Sequence, residues 1–245
     1  MRLSKRIYAL CDSVQKGESV ADVGTDHGYV PMLLLKNGIS PFVIMSDISE
    51  GSLSKAIHTF DEAGLRIDKS SFRLGDGLNT IGPGEVDDVI IAGLGGLTIS
   101  EILDNDISQS KSFKKIIMQP RKHSGNLRYY LYTKGFNIVS EVLVPEGKFI
   151  CEIITAVPTG DNSRTTDIPE EDIRWKYPDA FIECNTDYLQ KRLDWKFSSI
   201  DEEIKNLKKS NADNTELINR LRTDRNYLEN LLQKNINYHN RIIEV

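Results

Sequence analysis

Short apolar runs alternate with stretches of helical periodicity through the first two thirds of the chain. The runs are Ser19 to Val23, Phe42 to Ser46, Val86 to Ala92 and Lys115 to Met118, with a fifth, shorter one at Ser71 to Leu74. Near-continuous apolar strands separated by helices are the pattern of a parallel sheet with crossover helices. Leu3, Ile7, Leu10 and Val14 recur at helical spacing before the first run, opposite Arg2, Lys5 and Arg6, and predict an amphipathic opening helix. After a helix around Asn126 to Thr133, the segments Asn137 to Val144 and Phe149 to Val157 predict a β-hairpin turned at Pro145-Glu146-Gly147. An antiparallel edge strand is therefore expected on a mostly parallel sheet, in an α/β, Rossmann-like fold.

The pattern changes after Thr159 to Pro169, a polar stretch unable to supply a core and taken as a boundary. Beyond it Leu189, Leu193, Ile200, Ile204 and Leu207, then Leu217, Leu221, Leu228 and Leu231, keep steps of three, four or seven residues on either side of Ser210 to Asn214. An antiparallel helical hairpin or short coiled coil is expected. The division is residues 1–160 for the sheet domain and 161–245 for the helical one.

Composition narrows the function classes. With 31 basic and 36 acidic residues the net charge is −5, which excludes a chain coated in positive potential but not a local basic patch. From residue 181 onward 11 basic and 11 acidic side chains interleave, the ordinary state of a solvated helical face; Arg220, Arg222 and Arg225 are the best candidates there for gripping nucleic acid. Cys11, Cys151 and Cys184 lie far apart without a C-x-x-C pair, so neither a metal site nor a disulfide framework is expected. The first residues lack the long apolar stretch of a signal peptide or membrane span, and a soluble, cytoplasmic protein is expected.

Each apolar run ends in glycine, aspartate or proline, at Gly24, Asp47, Gly93 and Pro120. Ligands of open parallel sheets bind there, beyond the carboxyl ends of the strands. The first end reads Asp22-Val23-Gly24-Thr25-Asp26-His27-Gly28, with a helix start marked by Pro31. Neither G-x-x-x-x-G-K-S/T nor G-x-G-x-x-G is present, so the loop is no phosphate cradle. In place of a further glycine stands Asp26, whose carboxylate repels pyrophosphate and welcomes a cation such as the sulfonium and amino groups of S-adenosylmethionine. Asp47, 23 residues beyond Gly24 and followed by Ile48, is placed to accept hydrogen bonds from both hydroxyls of a ribose. Asp76, in Gly75-Asp76-Gly77, can accept one from an adenine amino group. Ala92-Gly93-Leu94-Gly95 ends the fourth strand with room for a flat ligand against the backbone. Singly, each aspartate is explained as well by a turn or helix cap; three at successive strand ends are not. His27 and Tyr29 flank the same pocket and can orient a nucleobase or tune Asp26, against the plainer reading of a structural histidine.

Together, Ala21-Asp22-Val23-Gly24-Thr25-Asp26-His27-Gly28-Tyr29-Val30-Pro31, Arg73-Leu74-Gly75-Asp76-Gly77-Leu78, Ile91-Ala92-Gly93-Leu94-Gly95-Gly96 and Gln119-Pro120 resemble the bacterial tRNA (adenine-22-N1)-methyltransferases, a branch of the class I S-adenosylmethionine-dependent enzymes. The motifs cover roughly residues 1–157; the C-terminal part matches in architecture only. Leu94 and Arg121 depart from the family pattern, where methionine and asparagine are expected. The resemblance implies a Rossmann-like catalytic domain, a C-terminal coiled coil and methyl transfer to N1 of an adenine in the D-arm of tRNA.

On this reading Asp22, Gly24, Thr25, Asp26, Gly28, Asp47, Ile48, Asp76, Gly77, Ala92, Gly93, Leu94 and Gly95 hold S-adenosylmethionine. Asp26 and His27 set donor and target base in line, and Tyr29 stacks on or bonds to the adenine. Arg2, Lys5, Arg6, Arg121, Arg220, Arg222 and Arg225 are candidates for tRNA phosphates, against a plain reading as surface charge. The residues alone leave open a methyltransferase acting on another RNA or a small molecule, and a non-catalytic RNA-binding or coiled-coil interaction protein. A nicotinamide-dependent oxidoreductase fits less well, since Asp26 occupies the space of a pyrophosphate.

Overall fold

A computed structural model describes residues 3–161, 163–210 and 212–243. In chain order the elements are α1 (Lys5–Asp12), β1 (Val20–Val23), α2 (Tyr29–Lys36), β2 (Val43–Asp47), α3 (Glu50–Glu62), β3 (Phe72–Leu74), β4 (Asp88–Leu94), α4 (Gly96–Asn105), α5 (Ile107–Ser110), β5 (Lys115–Pro120), α6 (Ser124–Thr133), β6 (Phe136–Glu146), β7 (Phe149–Pro158), α7 (Ile173–Lys176), α8 (Thr186–Lys209) and α9 (Thr215–Ile243). The strands form one sheet in the order β3-β2-β1-β4-β5-β7-β6. β1 to β5 pair in parallel, and β7 runs antiparallel to both β5 and β6. The expected hairpin thus closes one edge, with the antiparallel strand itself one place in and β6 outermost.

Side-chain alternation on the strands makes three layers. Ala21, Val23, Ile44, Ile91 and Met118 face Ile99, Leu103, Leu127 and Leu131 of α4 and α6. Val20, Val43, Met45, Ile90 and Ile117 face Leu10, Leu34 and Phe60 of α1, α2 and α3. Being covered on both faces is why the central strands carry continuous apolar runs. The order reverses between β1 and β4, which opens a crevice at their carboxyl ends.

Leu189, Leu193 and Ile200 of α8 and Leu221, Leu228 and Leu231 of α9 meet in a third core. Leu143 of β6 and, at its margin, Ile150 of β7 join it, so the helical pair is built onto the strand hairpin. Leu217, expected in the seam, is 40% exposed instead. The polar stretch after Thr159 does not hang free. The Arg164 amide donates to the Thr133 carbonyl at 2.9 Å, and its guanidinium reaches Asn137 Oδ1 at 2.9 Å and the Phe136 carbonyl. Among the described residues, no helix is long and apolar enough to cross a membrane.

Candidate functional site

The carboxyl ends of β1, β2, β3 and β4 are tied together by backbone. The amides of Gly24 and Thr25 donate to the Ser46 carbonyl at 2.8 and 3.1 Å, prolonging the β1–β2 pairing past the strand. The Gly75 amide donates to the Asp47 carbonyl at 3.0 Å and brings Gly75-Asp76-Gly77 beside β2. Leu94 closes the other side: a Cβ at Gly24 would lie 3.9 Å from Leu94 Cδ1. The loops named from the sequence therefore line one crevice.

Asp47 accepts the Ser49 amide on Oδ1 at 2.8 Å, while Ser49, whose Oγ accepts the Ser52 amide, is the cap of α3. The capping reading of Asp47 is thus superseded: its carboxylate is oriented by one bond and keeps acceptor capacity. Ile48 next to it is 73% exposed, a bare apolar ledge at a strand end. Asp76 is exposed in a turn closed by its own carbonyl and the Asn79 amide. Asp22, by contrast, is buried within β1, and burial pushes its carboxyl up to about 6. The Thr25 hydroxyl and Arg6 pull it down, and nearby Asp47 pushes it up.

The loop enters α2 through Gly28, whose φ is +66° and where a Cβ would come within 3.0 Å of Ala56 Cβ and 3.3 Å of Ala56 Cα. Only glycine fits both the left-handed conformation and the approach of α3. That approach delivers Lys55, whose Nζ donates to Asp26 Oδ1 at 2.7 Å and holds that carboxyl below its usual range. Asp26 is therefore not a bare acceptor waiting for a cationic ligand; it already has a resident cation, which no pattern in the sequence signalled. His27 Nε2 lies 3.3 Å from Asp26 Oδ2, and the His27 ring stacks on Tyr29 with centroids 5.2 Å apart and planes 5° from parallel. Asp26, His27 and Tyr29 thus form one connected group at the mouth of the crevice.

At the β4 end, Ala92 begins a bulge against β5, and Gly93, Leu94 and Gly95 lead into α4. The Arg121 amide donates to the Leu94 carbonyl and the Gly96 amide to the Lys122 carbonyl, each at 2.8 Å. A Cβ on Gly96 would strike the His123 carbonyl oxygen at 2.2 Å, so a glycine is required where the β4 and β5 loops pass. The Arg121 guanidinium lies against Gly93, within 3.6 Å of where a Cβ would stand. Beyond it opens a cleft of about 1170 Å³ between the β5 loop, the hairpin tip, α7 and α8.

Several of the basic candidates have other employment. Arg6 is tied to Glu146, with Nε 2.5 Å from Oε2, and its Nη1 donates to Gln119 Oε1 at 3.5 Å; its side chain is 20% exposed. Arg225 pairs with Asp201 at 2.7 Å and Glu229 at 3.0 Å and lies over the Phe197 ring, bracing α8 against α9. Both guanidiniums are thus engaged in ion pairs within the fold. Lys5 donates to Tyr188 Oη at 3.2 Å, linking α1 to α8. Arg222 Nη1 donates to Asn219 Oδ1 at 3.4 Å, and Arg220 is exposed near Asp172 and Asp224. Arg2 lies outside the described residues. Arg121 is exposed and makes no ion pair among them.

Residues 3–154 match the profile of a family described as a methyltransferase domain. The chain is 31% identical over 167 residues to the tRNA (adenine(22)-N(1))-methyltransferase of Bacillus subtilis, covering 68% of this chain and 69% of that protein. The structure of the B. subtilis m1A22 tRNA methyltransferase TrmK superposes with a TM-score of 0.75 at 24% identity, over 94% of this chain and 99% of that one. That of M. capricolum TrmK in complex with the cofactor product S-adenosyl-homocysteine superposes with a TM-score of 0.70 at 24% identity, over 96% and 99%.

Proposed function

The chain belongs to the tRNA (adenine(22)-N(1))-methyltransferases within the methyltransferase-domain family, and on that footing we propose that it transfers a methyl group from S-adenosylmethionine to N1 of adenine 22 in the D-arm of tRNA. The observation that carries the reading onto these residues is the convergence of Asp22, Asp47 and Asp76, from three adjacent strands, on a crevice roofed by the Gly93–Gly95 turn. The residues fit the donor: open backbone at Gly24, an oriented carboxylate at Asp47 for the ribose, the Ile48 ledge for the adenine ring and a buried carboxyl at Asp22 toward the cationic end. Thr25, Gly28, Gly77, Ala92 and Leu94 shape the walls of that crevice.

When bound, S-adenosylmethionine supplies an electrophilic methyl carbon on a sulfonium. Adenine N1 would take the methyl on its in-plane lone pair as the carbon–sulfur bond breaks and neutral S-adenosylhomocysteine leaves, so no residue has to remove a proton first, and positioning supplies most of the rate. The base must leave its stack to present N1, at about a few kcal/mol. The Tyr29 ring, already backed by His27, is the surface on which it settles. Asp26 lies beside them, and its negative charge favours the cationic product. Lys55 positions that carboxylate. Arg121, over Gly93, reaches the RNA as it enters from the cleft.

The test is incubation of unmodified tRNA with labelled donor, followed by mapping of the methylated base; label at any atom other than N1 of adenine 22 would remove the assignment. Asp26→Ala should lower kcat about 10- to 100-fold, the loss that follows from misplacing a reacting group. Full activity in that variant would exclude the positioning role.

Donor binding should also depend on pH through Asp22. Between about pH 4 and about pH 6 a carboxyl raised to about 6 carries its proton in the folded protein while the unfolded chain, at the ordinary value of 3.8, has lost it. Ionising it therefore lowers stability as pH rises from about 4 to about 6. A cationic ligand favours the ionised form, so affinity should fall as pH drops below about 6, by up to tenfold per unit. Calorimetry between pH 8 and 5 reads this. Asp22→Asn should flatten the profile; an unchanged profile would assign the dependence to another group.

A further inference from the structure

Two aromatic rings stand half-exposed where the catalytic and helical parts meet. Phe149, first residue of β7, is 52% exposed and Trp195 of α8 is 50% exposed; their centroids are 5.6 Å apart with planes at 77°. Both line the cleft beside Arg121. Two large rings left half-open to water forgo part of the burial that aromatic side chains gain in a core. Each comes from a different element, so the pair exists only when the helical part is seated on the hairpin.

Each ring has a lysine next to it in sequence. Lys148 Nζ sits 5.2 Å from the centroid of the Phe149 ring, and Lys191 and Lys196 of α8 line the same cleft as Trp195. None of the three lysines makes an ion pair among the described residues. Of the six acids that line the same cleft, Glu146 is paired with Arg6, Glu152 with Arg128 and Arg192, and Asp172 with Arg174; Glu170 accepts from Asn126, and Glu171 and Asp224 make no ion pair among the described residues. Lys176, which also lines the cleft, is held below its usual range by burial and by Lys196 and Arg192, against the opposing pull of Glu152. Three lysines without an ion pair beside bare rings, on a chain of net charge −5, complement a polyanion that also carries flat apolar faces.

We propose that Phe149 and Trp195 form a stacking platform for an unpaired base of the tRNA other than the target adenine, with Lys148, Lys191 and Lys196 on its flanking phosphates. This rests on the tRNA-methyltransferase reading. It assigns the inter-domain cleft, some way from the Asp26–Tyr29 group, as the second anchor that holds the RNA while the target base is displaced. A stacked base contributes to RNA binding and not to the methyl-transfer step, so its loss appears in KM.

Wild type, Phe149→Ala, Trp195→Ala and Trp195→Phe are compared in steady-state methylation of a tRNA transcript, with donor affinity measured by calorimetry. The alanine variants should raise KM for tRNA about tenfold each while kcat and donor affinity stay within twofold, and Trp195→Phe should restore most of the loss. Alanine variants with unchanged KM overturn the platform. A direct reading does not depend on how those variants fold: tRNA should quench tryptophan emission in the wild type and not in Trp195→Phe, which keeps a ring and leaves Trp175 as the sole tryptophan. Equal quenching in both, or equal quenching of the wild type by poly-glutamate, also overturns it. Absence of methylation in the wild type would instead remove the parent reading, which separates the two failures.

Discussion

Replacing Asp47 by alanine is expected to weaken S-adenosylmethionine binding about a hundredfold, because two charge-assisted hydrogen bonds to ribose hydroxyls, each worth about 1.5 kcal/mol or more, disappear together. The structure makes the size of this effect plausible. Asp47 ends β2 with one carboxylate oxygen fixed by the Ser49 amide, so the side chain is already oriented and a ligand does not bear its ordering. S-adenosylhomocysteine carries the same ribose and should lose affinity by the same factor, whereas its lack of a sulfonium charge should blunt the response to Asp22→Asn. Calorimetry with both ligands separates the two carboxyls. The melting temperature acts as control, since the Ser49 amide stays close to solvent and its lost partner costs at most about 1 kcal/mol. A change below threefold would return Asp47 to the role of a turn former.

The sequence exposed the parts of this site that local rules dictate. Strand ends, the Gly24–Gly28 loop and Asp47 and Asp76 are consequences of an apolar run stopping at a turn residue, and all stand at the crevice. What remained hidden depends on partners far along the chain. Lys55 meets Asp26 only because α3 packs on Gly28, and nothing in the helical stripe of α3 marks that lysine. Arg6 reads as surface charge until Glu146, 140 residues on, is folded against it. Arg225 looks like a phosphate ligand in a helical pattern until Asp201 arrives from the antiparallel neighbour. The Phe149–Trp195 pair is invisible for the same reason, since its rings come from separate elements brought together by the third core.

That third core also places the largest stability effect outside the crevice. Arg128 of α6 is 1% exposed; its Nε donates to Glu141 Oε1 and its Nη2 to Glu152 Oε2, both at 2.6 Å. Arg192 of α8 donates to the other oxygen of Glu152 at 2.7 Å, and both guanidiniums lie over the Phe181 ring. Two cations and two anions thus balance where the strand hairpin receives α8. Arg128→Met should cost about 3–5 kcal/mol in denaturant unfolding at pH 7, because Glu141 and Glu152 stay buried with a single cation. Burial alone raises the carboxyl of Glu152, but Arg192 and Arg128 hold it at about 2, against an ordinary value of 4.5. Its contribution is therefore complete above about pH 4.5 and is lost as pH falls toward 2. In Arg128→Met the glutamates protonate more readily, which relieves the unpaired charge, so the deficit should shrink markedly by pH 4. A deficit equal at pH 7 and pH 4, or smaller than about 1 kcal/mol at both, would mean the pair is held by packing around Phe181 and not by its charges.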